Sequence, residues 1–357
     1  MILQEVATSN FLSWCDAQGI QSSLLRLQGS HPYRYLTCEK DLSPTKNDNS
    51  LSLLQVPLSA CLKGDSQTAL ADRLTFEKML GEDSEFYPYL CMLPPPLEDA
   101  TSSLLEIPRF WSPARLASIT NFDGGQLAAR LEATALTDEE KLVDAWALTC
   151  VKTRSNFLKD GSYAMTPLLD MLNHDGSITT KADVSDDDDV LDLCVRGHSF
   201  SAGAEVKMSY GDLTNLDTLC QYGFVADDNP LNVETLEVGL IMAKDPITVA
   251  IASDGTIAPE ALAMLRRLLA AGADLKGKNR NQLSEFMEPL SDNNELEVVS
   301  FLATELDMSA KDARRGTLEA ATVREDRMVT TYLSSRASVL EKGIERILER
   351  FPDLEYC

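Results

Sequence analysis

The stretch TPLLDMLNHDG, Thr166 to Gly176, decides how the rest of this chain is read. An apolar run ends in Asp170, and Asn173-His174 and Asp175-Gly176 follow closely. Only three histidines occur in 357 residues, and this one stands beside an asparagine at a turn. A second unusual stretch, EVKMSYGDLTNLDTLCQYGFV, Glu205 to Val225, carries two Tyr-Gly pairs. Taken singly, each residue has an ordinary structural explanation. Tyr210 fits a strand end before a turn, His174 a capped surface position, and Arg154 a helix C-terminus that pairs with carbonyls or a nearby acid. The information lies in their joint order: Arg154, then Asp170-x-x-Asn173-His174, then Ser209-Tyr210-Gly211, then Tyr222-Gly223-Phe224.

Composition narrows the setting. Hydrophobic residues make up 44% and charged residues 25%, as in soluble globular proteins. No window approaches eighteen uninterrupted apolar residues, which excludes a spanning helix. The first twenty residues hold Glu5 and Asp16 but no Lys or Arg, and so resemble neither a secretory signal nor a basic transit peptide. A net charge of −24 argues against non-specific nucleic-acid binding, which needs clustered Lys and Arg. It suits solubility and also a basic protein partner. The eight cysteines are scattered, without Cys-x-x-Cys or Cys/His clusters, and read as free thiols of a reducing, intracellular compartment. A zinc site is not expected.

Along the chain, the first sixty residues read as short strands and turns, with SLSLLQVP, Ser50 to Pro57, as a strand after the turn-rich SPTKNDN. From about Asp65 to Phe157 the period becomes helical. Ala69, Leu70, Leu74 and Leu80 mark one amphipathic helix, and SPARLASI another with proline in its first turn. Thr137 and Glu140 form a capping-box pair that predicts a helix running toward KTRSNFL. VLDLCVRGHSF and EVKMSY read as strands, and SDDDD, Ser185 to Asp189, as a solvated loop. After Leu231 three leucine-striped segments predict helices. Their stripes run through Leu262, Leu265 and Leu269, through Leu296, Val299, Leu302 and Leu306, and through Leu333, Leu340, Ile344 and Ile347.

PLLDMLNHDG followed by SAGAEVKMSYGDLTNLDTLCQYGFV resembles the core of SET-domain protein methyltransferases. The branch is that of the Rubisco large-subunit lysine methyltransferases and the actin-histidine methyltransferases. FYPYLCMLPP, IPRFWSPARL and AWALTCVKTRSNF resemble its helical insert and its Ser/Thr-Arg-x-x-Phe segment. The resemblance implies an α+β fold in which small β-sheets form a SET domain with a pseudoknot over residues 1–230. A helical insert is expected at about 65–157, and an all-α substrate-binding domain of the Rubisco methyltransferase type over 231–357.

It further implies S-adenosylmethionine as cofactor, bound by Arg154 at its carboxylate, by Asn173 and His174, and by Phe224 near the adenine. Asp170 would orient the pocket, Tyr222 would form a wall, and Tyr210 would be the catalytic tyrosine at the junction with the acceptor. The chemistry needs no more. A sulfonium is a good leaving group, so the site must only deliver a neutral, aligned nitrogen. A free lysine, with a pKa near 10.4, must first lose its proton, which an apolar channel beside a cation favours.

The resemblance points to a protein-lysine N-methyltransferase, with histidine as a minor alternative acceptor. Its substrate would be a folded protein, Rubisco large subunit being one family precedent, with chloroplast or cytoplasm as the compartment and neither nucleic acid nor membrane as partner. One segment departs from the pattern. Where family members carry Gly-x-Gly, this chain reads Tyr33-Arg34-Tyr35, and the nearest glycine is Gly29. Glycine lets backbone approach a ligand closely. A second hypothesis therefore stands beside the enzyme: a SET-fold protein that has lost cofactor binding and acts as a binding module.

Overall fold

The computed structural model describes residues 2–30, 33–44, 50–178, 181–184, 189–196, 199–240, 243, 245–324 and 326–356. In chain order the helices are α1 (Ile2–Ala17), α2 (Gln67–Leu80), α3 (Tyr87–Leu90), α4 (Pro113–Thr120), α5 (Gln126–Ala133), α6 (Ala145–Arg154), α7 (Asn215–Tyr222), α8 (Pro259–Leu269), α9 (Asp292–Glu319) and α10 (Arg327–Arg350). The strands are β1 (Leu25–Ser30), β2 (Tyr33–Cys38), β3 (Ser50–Pro57), β4 (Leu62–Gly64), β5 (Ser155–Phe157), β6 (Tyr163–Met165), β7 (Asn173–His174), β8 (Lys181–Val184), β9 (Val190–Arg196), β10 (Glu205–Met208), β11 (Val233–Val238) and β12 (Ile247–Ala252). The chain forms two compact units: Met1–Phe110, Ala135–Asp212 and Gln221–Gly223 make the first, and Trp111–Thr134, Leu213–Cys220 and Phe224–Cys357 the second.

The first unit is an α+β body with three small sheets, ordered β1-β2-β10-β7, β3-β9-β8 and β4-β6-β5. Alternation drives β3 and β9 together: Leu54 and Val56 of one and Leu191 and Leu193 of the other are buried. Leu70 and Leu74 from α2, Leu148 and Val151 from α6, and Met165 complete a single core with them. Each fully buried aliphatic side chain contributes about 1.5–3 kcal/mol of transfer free energy. The functional stretch lies where β7 runs parallel to β10, with Asn173 opposite Lys207 and His174 opposite Met208.

In the second unit, α9 and α10 pack lengthwise over the antiparallel hairpin β11–β12, with Val298, Leu302, Leu306, Leu340, Ile251 and Val249 in the core. A second cluster joins Ile119 and Leu127 to Leu219, Tyr332 and Leu333. Two ion pairs are buried beside these cores. Arg266 clasps Glu295 at 2.6 and 2.8 Å, and Arg336 reaches Glu234 at 2.7 Å with both side chains at 3% exposure or less.

The expected elements stand with instructive exceptions. The chain opens on the helix α1 rather than on strands, its Phe11 and Cys15 buried one turn apart. The Thr137–Glu140 capping box forms, each side chain bonded to the other's amide. It closes only a short 3₁₀ turn, Glu140–Leu142, and α6 starts later behind its own cap, Asp144. Leu80 and Leu296, expected on buried stripes, are 38% and 48% exposed. The C-terminal region is helical, as expected, but opens with the β11–β12 hairpin, so helices alone do not describe it. The compact units also depart from a single boundary at residue 230. Residues 111–134, inside the expected insert, and residues 213–220 belong to the second unit. Most of the SPTKNDN turn and of the acidic run Ser185 to Asp189 lies outside the described residues.

Candidate active site

The site in the first unit is assembled around one turn. Leu168 holds φ at +66°, a conformation that residues with a Cβ adopt only when their surroundings impose it. It is buried at 1% exposure and leads into a single 3₁₀ turn, Leu169–Met171. That turn presents Asp170. The Asp170 side chain is fully buried, and its Oδ2 accepts a hydrogen bond from the Tyr89 hydroxyl at 2.7 Å. Burial pushes the carboxyl up to about 6, although Arg154 and the Tyr89 bond pull in the opposite direction.

Arg154 ends α6 and donates from Nη1 to the Asp170 carbonyl at 2.8 Å. The same atom lies 4.0 Å from Asp170 Oδ2. Its Nε is buried without a hydrogen-bond partner, and so is Asp170 Oδ1. Such orphaned polar atoms are rare in native interiors and mark places where a ligand group can bond.

Tyr210 follows β10. Its hydroxyl donates to the Leu172 carbonyl at 2.5 Å, and its ring lies 5.0 Å from that of Tyr222 at 43°. Burial raises the Tyr210 phenol above its usual value, so it stays protonated. Its amide donates to His174 Nδ1 at 3.1 Å, and the two rings are 5.1 Å apart. His174 therefore carries no proton on Nδ1, and burial lowers its pKa, which keeps the ring neutral. Asn173 is exposed, and its amide nitrogen donates to Glu205 Oε1 at 2.7 Å.

Arg154, Asp170, Tyr210 and Tyr222 line one cavity of about 230 Å³, together with Asn156 and Leu172. Four of the residues singled out in the sequence thus share a cavity. Asn173 and His174 lie outside its wall, and His174 reaches it through the Tyr210 backbone. Phe224 belongs to the second unit, where its amide approaches the Thr218 carbonyl at 3.5 Å. Gly223 has φ of +73°, and a Cβ there would come within 2.8 Å of the Glu106 backbone. Only glycine fits after Tyr222.

The departing segment Tyr33-Arg34-Tyr35 is a strand rather than a loop. It is the start of β2, paired with β1 in register from Ser30↔Tyr33 to Leu25↔Cys38. Tyr33 is 80% exposed. Arg34 donates to the Met92 carbonyl at 2.7 Å, and burial together with Arg154 lowers its pKa while Asp170 opposes the shift. Sequence reasoning missed Tyr89, Asn156 and Arg34 as members of this neighbourhood. Tyr89 lies within FYPYL, Asn156 follows Arg154 by two residues, and Arg34 was noted only as a missing glycine.

No protein-family model matches the chain. The actin-histidine N-methyltransferase of Otolemur garnettii is 29% identical over 243 residues, 57% of this chain and 39% of that protein. That of Mus musculus is 28% identical over 241 residues, with the same shares of each chain. The chain therefore spans about two fifths of the length of these curated relatives. Among solved structures, the SET domain of LSMT bound to lysine and AdoHcy matches with a TM-score of 0.64 at 17% identity, covering 98% of this chain and 93% of that one. Rubisco LSMT bound to AdoMet matches with a TM-score of 0.62, covering 98% and 94%. Over nearly its whole length, then, this chain has the SET-domain fold of Rubisco LSMT.

Proposed function

We propose that the chain transfers a methyl group from S-adenosylmethionine to a nitrogen atom of a protein side chain. The observation that carries this reading is the convergence of Arg154, Asp170, Tyr210 and Tyr222 on one cavity of a SET fold. The names of sequence relatives and of solved neighbours, all methyltransferases, support it.

The residues present fit the cofactor. Arg154 has a buried Nε without a partner, suited to a carboxylate because a guanidinium offers its donors as a rigid planar fork. Asn173, fixed by Glu205 through its amide nitrogen, offers its carbonyl oxygen as an acceptor. Within the first unit His174 completes the proposed binding set, while Phe224, expected near the adenine, belongs to the second unit. The hairpin β1–β2 supplies a strand where a glycine cradle was expected, and Arg34 supplies charge instead. When bound, the cofactor supplies an electrophilic sulfonium methyl that needs no metal or covalent nucleophile.

The chain's own residues then have one task, to desolvate and orient a neutral nitrogen. Tyr210 donates its O–H in a hydrogen bond to the Leu172 carbonyl, which leaves its oxygen lone pairs to accept an N–H from the incoming nitrogen. Held protonated by burial, it orients rather than deprotonates. Tyr222 confines the acceptor by packing on the Tyr210 ring. Binding a nitrogen in this half-enclosed cavity favours its neutral form.

Lysine is the acceptor expected from the resemblance. Histidine is the second reading, and two observations favour it: the sequence relatives are named actin-histidine N-methyltransferases, and Asn156 lines the cavity. The Asn156 amide nitrogen is committed to Thr166 Oγ1 at 2.6 Å, which leaves its carbonyl oxygen for an imidazole N–H. The second unit is proposed to hold the folded protein substrate. Titration calorimetry with S-adenosylmethionine, followed by radiolabelled transfer to actin and to Rubisco large subunit with mass-spectrometric mapping, tests the proposal. Absence of both heat and thermal stabilisation at millimolar cofactor would overturn it, because a ligand far above its Kd must stabilise the fold.

A further inference from the structure

One buried hydroxyl near the site has no part in the chemistry above. Tyr89 of α3 is fully buried, and its hydroxyl is spent on Asp170 Oδ2, 81 residues away in sequence, at 2.7 Å. Its ring is gripped from α1, stacked on Phe11 at 6.2 Å and on Trp14 at 6.4 Å. The Trp14 indole is itself tied to the Glu85 carbonyl at 2.8 Å, just ahead of α3. A phenol oxygen placed in such an apolar stack is costly unless it is bonded.

The recipient is not an arbitrary acid. Asp170 sits in the turn whose backbone carbonyls hold the two groups nearest the chemistry: Arg154 on the Asp170 carbonyl at 2.8 Å and Tyr210 on the Leu172 carbonyl at 2.5 Å. The turn starts from the strained Leu168, at φ +66°, and so needs outside contacts to persist. Among the described residues, Tyr89 is the only side chain that hydrogen-bonds the Asp170 carboxyl, whose Oδ1 has no partner.

We propose that Tyr89 is a positioning residue, which through Asp170 fixes the strained turn whose carbonyls hold Arg154 and Tyr210 in register with the acceptor. The inference rests on the methyl-transfer reading of this cavity. A relay of this kind links α1 and α3, which line no part of the cavity, to the two side chains that do.

The groups around Asp170 are few: Arg154, Arg34 and Tyr89, with Tyr210 and the thiols of Cys15, Cys61 and Cys150 also feeling its charge. Tyr89→Phe keeps the ring and its stacks and removes only the bond. Turnover should fall roughly tenfold, while KM for the protein substrate and Kd for S-adenosylhomocysteine change less than about threefold. The acid limb of kcat against pH should move upward by roughly one unit, because the charged form of Asp170 loses its donor. In an Asp170→Ala background, where the hydroxyl has lost its acceptor, the same change should have little further effect on kcat.

A lowered thermal midpoint with kcat and the acid limb unmoved would reduce Tyr89 to a packing residue and overturn the inference. Should Tyr89→Phe fail to fold, Asp170→Ala carries the test, since it removes the acceptor of the hydroxyl. Wild-type kcat in that variant would refute the relay. A wild-type chain that binds S-adenosylhomocysteine and transfers methyl while Tyr89→Phe behaves identically refutes the relay alone. A wild-type chain that does neither removes the methyl-transfer reading, and the relay with it.

Discussion

Tyr210→Phe is the most informative single change in this site. The ring stays, so its packing on Tyr222 and beside His174 is retained. The hydroxyl goes, and two consequences separate cleanly. The first is structural: the 2.5 Å bond to the Leu172 carbonyl is lost, and Leu172 is buried at 1% exposure. A lost hydrogen bond that strands a buried acceptor costs about 1–3 kcal/mol, which lowers the melting point of a unit of this size by a few degrees. The second is kinetic. If the phenol oxygen orients the nitrogen as the methyl arrives, turnover falls at least tenfold, about 1.4 kcal/mol of barrier. Affinity for S-adenosylhomocysteine should move far less, because the interaction acts in the transition state. Single-turnover transfer of labelled methyl, with calorimetry on the same samples, measures both. Wild-type turnover in a variant that has lost its few degrees of stability would show that the hydroxyl is structural only and that Tyr210 is wrongly assigned.

Three further outcomes are expected. Asp170, pushed up to about 6 from an ordinary carboxyl value near 3.9, binds its proton more tightly folded than unfolded. Its contribution is therefore complete below about pH 4 and is lost as pH rises through about 6, on the order of 2–3 kcal/mol, and Asp170→Asn should flatten that part of the stability curve measured by chemical denaturation. Gly223→Ala forces a Cβ against the Glu106 backbone at positive φ and should cost about 2–4 kcal/mol, read as a drop in the thermal midpoint with Tyr222 displaced. Arg336→Met leaves Glu234 buried without its cation and should destabilise the second unit by about 3–5 kcal/mol at neutral pH. Since burial already raises the Glu234 pKa, scanning calorimetry should find the loss smaller in acid, and an equal loss at both pH values would refute the charge argument.

How far the chain could be read from its letters depends on the range of the forces involved. β3 was legible to the residue because a period of two against a buried face is a local signal. The start of α6 was not, because Thr137 and Glu140 form a genuine capping box around a turn that then stops. α1 escapes a reading from sequence because, among its described side chains, the fully buried apolar ones are Phe11 and Cys15 alone, a thin stripe. The order Arg154, Asp170, Tyr210, Tyr222 foretold a shared cavity through resemblance, and no propensity would have done so. Tyr89 could not be found at all from local pattern: its meaning is a bond to a residue on a distant turn. Arg34 stands where the family pattern has a glycine, yet in place it is a half-buried cation bonded to the Met92 carbonyl and feeling the charges of Arg154 and Asp170.

The interleaving of the two units sets a timetable for synthesis. Ile119 and Leu127 emerge from the ribosome with the first third of the chain, yet the Tyr332 and Leu333 side chains that cover them lie roughly 200 residues downstream. At 5–20 residues per second that gap lasts about 10–40 seconds. Throughout it, an amphipathic pair of helices that belongs to the second unit has its apolar faces uncovered by α10, while segments of the first unit lie on either side of it in sequence. Any fragment ending near residue 230 would keep that exposed pair for good. During synthesis, α4 and α5 are therefore the stretch of this chain that most needs a chaperone's cover.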